Sequence, residues 1–394
     1  MDELKKDALA LKDYIIKERR YFHSHPELGC HELGTTAHIK EALETIGVEV
    51  QTFSGMTGCV GIIRGKQSGK TVMLRADIDA LPITEHANGR DYASQNPGVM
   101  HACGHDAHMA MLLGAARLLV ERREEICGTV KLLFQMGEEI GTESRHYVEA
   151  GALDDVDAIF GQHIWALLPV GTANLEDGPR MASSDRFTIT IHGKAAHGSA
   201  PQNGHDTIVA AAATVMGLQT LVSRVNDPKN TFVLTVGMMN GGTQSNIIAD
   251  KTVLVGTTRA LVNDFRKKIP GLIENLSKNL VKAYGCTADL TYFFGPDPLD
   301  NSHHELNEIG RAAYRYMLGG DALVPMRKQM GAEDFSVYMA KTAGVFGFLG
   351  TRNEAKGSVY PHHHPDFVLT RTPCPMELVC THILPSIIWL GNNN

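Results

Sequence analysis

No cluster of lysine or arginine interrupts the chain, and Asp plus Glu (44) exceed Lys plus Arg (37), giving a formal net charge of −7. That balance excludes the broad positive surface that binds nucleic acid. Cysteine is scarce and odd in number, seven in 394 residues, which argues against a disulfide framework. No apolar run reads as the ~18 residues that a membrane span needs. Met1 to Arg20 is charged rather than apolar. No signal peptide is read there, and the reducing cytoplasm is the expected compartment. There is no tandem repeat, and His362-His363-His364 is the one low-complexity feature. What is present is an ordinary globular composition, 43% hydrophobic and 21% charged. The length allows two domains with sizeable cores.

The pattern along the chain predicts a helix over 3–23, stopped by His25-Pro26, and a second over 34–46, ending at Gly47. Thr71 to Asp77 reads as a strand that runs into Asp79. A helix is expected over 107–123, with Met109, Leu112, Leu113, Ala116, Leu119 and Val120 at helical spacing. Strands 129–135 and 157–163 deliver Glu138-Glu139 and His163. This alternation implies an α/β fold, with a mixed, largely parallel sheet and helices on both faces. Such sheets place ligand sites beyond the carboxyl ends of their strands. Asp77, Glu138, Glu139 and His163 all fall there on this reading.

Near residue 180 the pattern changes. Arg186 to His192 alternates with period two, and a helix at about 205–223 follows. Strands at 231–238 and 252–259, a helix at 264–284 and a strand at 287–293 complete a β-α-β-β-α-β order, the ferredoxin-like split arrangement. The chain therefore divides into 1–181 with 295–394, and an inserted domain at 182–294. Helices at 304–317 and 376–390, flanking strand 345–349, return to the first domain.

Val99-Met-His-Ala-Cys-Gly-His-Asp-Ala-His108 is the stretch richest in chemistry. Thiolate and imidazole are both good ligands for zinc and similar ions. Gly104 lets the backbone bend so that Cys103 and His105 converge. Each residue also has a plain reading: a buried inert cysteine, two solvated glutamates, a core histidine. Taken together, Cys103, His105, Glu139, His163 and one late histidine give five ligands. That is too many for one tetrahedral ion and suits two ions sharing a ligand. Glu138, beside them, can act as general base.

The motifs resemble a known family. They are Arg19-Arg20-x-x-His23-x-x-Pro26-Glu27-Leu28, Arg75-Ala-Asp77-x-Asp79-Ala-Leu-Pro82, Cys103-Gly-His105-Asp106, Phe134-Gln-x-x-Glu138-Glu139, Gly331-x-Glu333-Asp334-Phe335 and His363-x-Pro365-x-Phe367. The chain is similar to the co-catalytic metal amidohydrolases that include hippurate hydrolase, N-acyl-amino-acid aminoacylases and auxin-conjugate hydrolases. The resemblance implies two divalent ions per subunit, Zn or Mn first and Co or Ni as alternatives. Cys103 would bridge them, His105 and His163 would serve one ion, and Glu139 and His363 the other. Glu138 would be the base and His197 would steady the oxyanion. Asn246 and Arg259 would hold the substrate carboxylate, and Asp77 and Asp106 would support the ligands. The inserted domain would be a lid that also makes a homodimer or homotetramer.

The chain departs from relatives at Met136-Gly137, where many have Pro-Ala, at Ala195-Ala196-His197-Gly198, and at Ile247-Ile248-Ala249. The expected reaction is metal-dependent hydrolysis of an N-acyl amino acid, a small-molecule partner, to a carboxylic acid and a free amino acid. Three alternatives stay open. One is a dipeptidase or carboxypeptidase on the same scaffold. The others are an amidase using Cys103 as nucleophile and a non-catalytic binding relative.

Overall fold

The structure, a computed structural model, describes residues 2–369, so the helix expected at 376–390 lies outside the described residues. Alternate residues Val72, Leu74 and Ala76 point to one side of their strand and meet Met109, Leu112 and Leu113 in a single core. On the other side Phe335 packs against Phe346, ring centroids 4.9 Å apart. Burial on both faces is why these strands read as unbroken apolar runs.

The sheet has seven strands. Their spatial order is Glu49–Gln51, Cys59–Arg64, Cys127–Gln135, Gln67–Asp77, Ala158–Pro169, Ala343–Arg352 and Ala173–Asn174. The four from Cys127–Gln135 to Ala343–Arg352 are mutually parallel, and the edges are antiparallel. The mixed, largely parallel sheet is therefore present. Helix His105–Glu121 starts two residues before its expected position, at His105 itself. The single helix expected over 3–23 is two, Asp2–Ala10 and Lys12–Ser24. Nothing in the sequence at Leu11 accounts for the break.

One expectation needs correction. His163 does not end its strand, because Ala158–Pro169 continues six residues beyond it. Its level in the sheet is nonetheless as expected. Leu74 pairs with Phe160, so Asp77, three residues on, stands level with His163.

The described residues fall into two compact units. The first comprises 2–178, 300–327 and 334–369 and holds the seven-stranded sheet. The second comprises Pro179–Leu299 and Lys328–Glu333. It contains a four-stranded antiparallel sheet ordered Phe232–Gly241, Lys251–Ala260, Asp185–His192, Thr287–Phe293. Phe187, Ile189 and Ile191 face helices Thr207–Thr220 and Ile269–Lys282 in a separate core. This is the β-α-β-β-α-β arrangement. Thr207–Val225 is 19 continuous helical residues with mean hydropathy 1.5, long and apolar enough by those measures to cross a membrane. The sequence reading missed it because Thr214, Gln219 and Thr220 interrupt the run. Its Ala210, Ala211, Leu218 and Leu221 are buried in the second core, while Met216 is 71% exposed.

Candidate metal centre

Gly104 has φ +94, and a Cβ there would fall 2.2 Å from Ile164 Cδ1. Glycine is therefore required on both conformational and steric grounds. The turn it makes places Cys103 beside the start of helix His105–Glu121. Gly137, at φ +63, turns the end of strand Cys127–Gln135 into the short turn Glu138–Ile140. A Cβ there would stand 2.6 Å from Glu143 Cγ.

The donor atoms gather in overlapping groups, each with its atoms within 4.8 Å of one another. One is Cys103, His105 and His163, and another is Cys103, Glu139 and His363. Cys103 is common to both. A third joins His105, Glu138 and Glu139. Cys103 Sγ lies 3.3 Å from His163 Nε2, and His363 Nε2 lies 3.2 Å from Glu139 Oε1. The last pair is close but not aligned as a hydrogen bond, so Glu139 Oε1 keeps a free lone pair.

The donor set fits divalent cations. His105 Nδ1 lies 2.9 Å from the Asp79 carbonyl oxygen, which can only accept, so Nδ1 carries a proton and Nε2 is the ring nitrogen left to bind an ion in place of its own proton. His105 is fully buried, and its Nε2 has no hydrogen-bond partner among the described residues. His163 Nδ1 donates to the Ile164 carbonyl in the same way, leaving its Nε2 toward Cys103. Such outward hydrogen bonds fix the tautomer of metal-binding histidines. Burial alone would lower the His105 imidazole, but Asp77, Asp79 and Glu139 raise it to about 10. The same concentration of negative charge favours a bound cation. Burial, with Glu139 and Glu138 beside it, pushes the Cys103 thiol well up. That environment opposes a free thiolate nucleophile.

Asp77 takes His108 Nδ1 at 2.6 Å and lies 3.6 Å from His105 Nε2. Asp106 faces away from the donor atoms toward Arg19 Nε at 3.0 Å and His23 Nδ1 at 2.9 Å. Sequence reasoning gave no role to Asp79, although it holds both His105 and the Glu139 amide, the latter at 2.9 Å. The aspartate pair at a strand end was the available signal. It also passed over His108, whose Nε2 accepts from the Ile164 amide at 3.0 Å. Arg75 binds Gln135, Asp77 and Asp334 at 2.7–3.0 Å, all fully buried. Asp334 in turn lies within 4.8 Å of Glu138. Burial raises the Asp334 carboxyl to about 6 against the pull of Arg75.

A separate cavity of about 740 Å³ in the first unit is lined by Cys30, Thr57, Met136, Glu143, His146 and other residues. In the second unit, Ala196–His197 pairs with Ile247–Ile248, and the Gly198 amide donates to the Asn246 carbonyl at 2.7 Å. His197 and Asn246 are thus neighbours, both exposed. The Ser199 amide donates to His197 Nδ1 at 3.2 Å, which leaves the ring proton on Nε2 as a donor. The Arg259 guanidinium, half-buried on Lys251–Ala260, makes no hydrogen bond or ion pair among the described residues, although Asp185 is near enough to attract it. The nearby acid, Asp185, is taken by Arg266 at 2.7–3.1 Å, by Tyr292 and by the Gly295 amide.

Residues 73–378 match Peptidase family M20/M25/M40. Thermostable carboxypeptidase 2 of Saccharolobus solfataricus is 38% identical over 370 residues, 93% of each chain. N-acetyl-L-cysteine deacetylase of Bacillus subtilis is 38% identical over 362 residues, 92% of this chain and 85% of its own. A solved dinuclear metal binding peptidase from Bacillus subtilis has a TM-score of 0.85 at 34% identity, covering 97% of this chain and 99% of its own. Fold and donor set together define a metal-dependent amidohydrolase. The chain belongs to peptidase family M20/M25/M40.

Proposed function

We propose that this chain hydrolyses the amide bond of N-acyl amino acids to a carboxylic acid and a free amino acid. The observation that carries the reading is the pair of donor groups sharing Cys103, with Glu138 in reach of His105 and Glu139. Cys103, His105 and His163 would hold one divalent ion, and Cys103, Glu139 and His363 the other. Zn or Mn is the first choice, and Co or Ni the second. Such ions, when bound, acidify water and polarise the amide carbonyl. Glu138 takes the proton from the attacking water and returns it to the leaving nitrogen. His197 donates from Nε2 to the developing oxyanion, a preorganised contact of the kind that dominates acyl transfer. Arg259 holds the substrate α-carboxylate with two parallel hydrogen bonds, beside Asn246. That its guanidinium makes no hydrogen bond or ion pair among the described residues, with Asp185 attracting it only at longer range, supports that role.

The first unit is the metal-binding catalytic domain on this reading, and the second is a lid that mediates a homodimer or homotetramer. Exposed Met216, Met238 and Val209 in the second unit support an apolar contact. The free cysteines among the described residues support a reducing, cytoplasmic setting. A hydrolysis screen of N-acyl amino acids, with Zn, Mn, Co and Ni each supplied, tests the proposal. Release of free amino acid, abolished by chelator, is the expected result. Turnover unaffected by chelator, or confined to dipeptides with a free α-amino group, overturns it. The second outcome would favour the peptidase reading that the carboxypeptidase relative suggests.

A further inference from the structure

We propose that Asn88 and Asp366 form a clasp that positions His363 and so sets the affinity of one ion only. The inference rests on the dinuclear reading of the donor groups. Cys103, His105, Glu139 and His163 all sit on or beside regular structure. His363 does not: it lies on a loop, is 52% exposed, and has φ +63. A non-glycine residue in the left-handed region is strained and persists only where its surroundings hold it.

Beside His363, the His362 ring is already held, its Nε2 accepting from the Ala166 amide at 3.1 Å, and further contacts hold the loop on the other side of it. The His363 amide donates to the Ala102 carbonyl at 2.9 Å. Three residues on, Asp366 Oδ1 accepts from Asn88 Nδ2 at 2.9 Å and lies 3.1 Å from His86 Nδ1. The His86 amide also donates to the Pro365 carbonyl at 3.0 Å. The segment bearing His86 and Asn88 is itself anchored. Its Glu85 takes the Ser94 amide at 2.6 Å and Arg90 at 2.8 Å, and faces buried His23 at 3.0 Å. The clasp thus ties an exposed ligand loop to a rigid interior. His105 and His163 do not depend on it, because Asp79 and the Ile164 carbonyl hold them.

The test counts ions retained by full-length zinc-loaded protein as a competing chelator is raised. Wild type should release two ions in two steps. Asn88 has φ +47, so Asn88→Gly keeps that conformation without steric cost while removing the amide donor. In that variant and in Asp366→Ala, one ion should leave at about tenfold lower chelator, the low end of outer-contact effects on metal affinity. The other ion should leave as in wild type. Asp366→Asn keeps an acceptor oxygen and should behave as wild type, and the double variant should add nothing further. The clasp is overturned if both ions shift together in Asp366→Ala, or if neither shifts. Wild type retaining no ion would instead overturn the dinuclear reading itself.

Discussion

The two units treat their candidate site residues in opposite ways. In the first, nearly every candidate ligand is held from behind. Asp79 fixes His105 and the Glu139 amide, and the Ile164 carbonyl fixes His163. In the second, His197 and Asn246 are exposed, and Arg259 is left without an ion pair among the described residues. Chemistry at a metal tolerates little displacement, so its ligands must be locked before substrate arrives. Recognition of a carboxylate works the other way. A guanidinium already paired within the protein would have to give up that partner, so an unpaired one is the better clamp.

The sharpest way to probe the locked side is to change its chemistry without changing its shape. Glu138→Gln is nearly isosteric and cannot accept a proton. We expect both ions to be retained and kcat to fall by ~10²–10⁴-fold, the usual cost of losing a general base. Elemental analysis and steady-state kinetics on the same preparation check this. A variant that keeps more than about a tenth of wild-type kcat would assign the base to another residue, since that loss lies below the general-base range.

The open side should break differently. Arg259→Lys keeps the charge but loses the planar fork. We expect the preference for a free α-carboxylate over its amide to fall by roughly 10–100-fold, the worth of one or two charge-assisted hydrogen bonds. Metal content should not move. Equal rates on free and blocked substrates with wild type, or full discrimination by the lysine variant, would remove Arg259 from recognition.

How much of this contrast the chain displays before folding depends on the range of the contacts involved. Cys103, Gly104 and His105 are legible because ligands one glycine apart need only a local bend. The second unit's strand and helix order is legible because Arg186 to His192 alternates, Ile269–Lys282 carries an apolar stripe and Thr207–Thr220 is rich in alanine. Asp79 is harder. Its part in the site depends on His105, 26 residues away, and on Glu139, 60 residues away. Nothing local marks that convergence. His163 appeared to end a strand because Gly161, Gln162 and His163 interrupt its apolar run, yet pairing with Ala343–Arg352 carries the strand on to Pro169.

The smallest expected effect tests whether the locked side owes its rigidity to charge. His23 is fully buried between Asp106 at 2.9 Å and Glu85 at 3.0 Å. Burial alone would lower its imidazole, but hydrogen bonds to the two carboxylates raise it. Burial would likewise raise Glu85, and His23, the Ser94 amide and Arg90 hold it down at about 2. The signs then follow from linkage. A raised histidine adds stability that is complete below its unfolded value of ~6.5 and disappears as pH climbs through the folded value. A depressed glutamate adds stability that is complete above its unfolded value of ~4.3 and disappears as pH falls toward the folded one. The charged pair should therefore contribute most between those two unfolded values. His23→Gln keeps hydrogen-bonding capacity without the charge. We expect it to cost about 1–3 kcal/mol near pH 5.5, and clearly less near pH 8.5, measured by denaturant unfolding of matched metal-loaded samples. A difference between wild type and variant that stays constant from pH 5.5 to 8.5 would mean that packing alone, not the buried charge, holds Asp106 behind the metal centre.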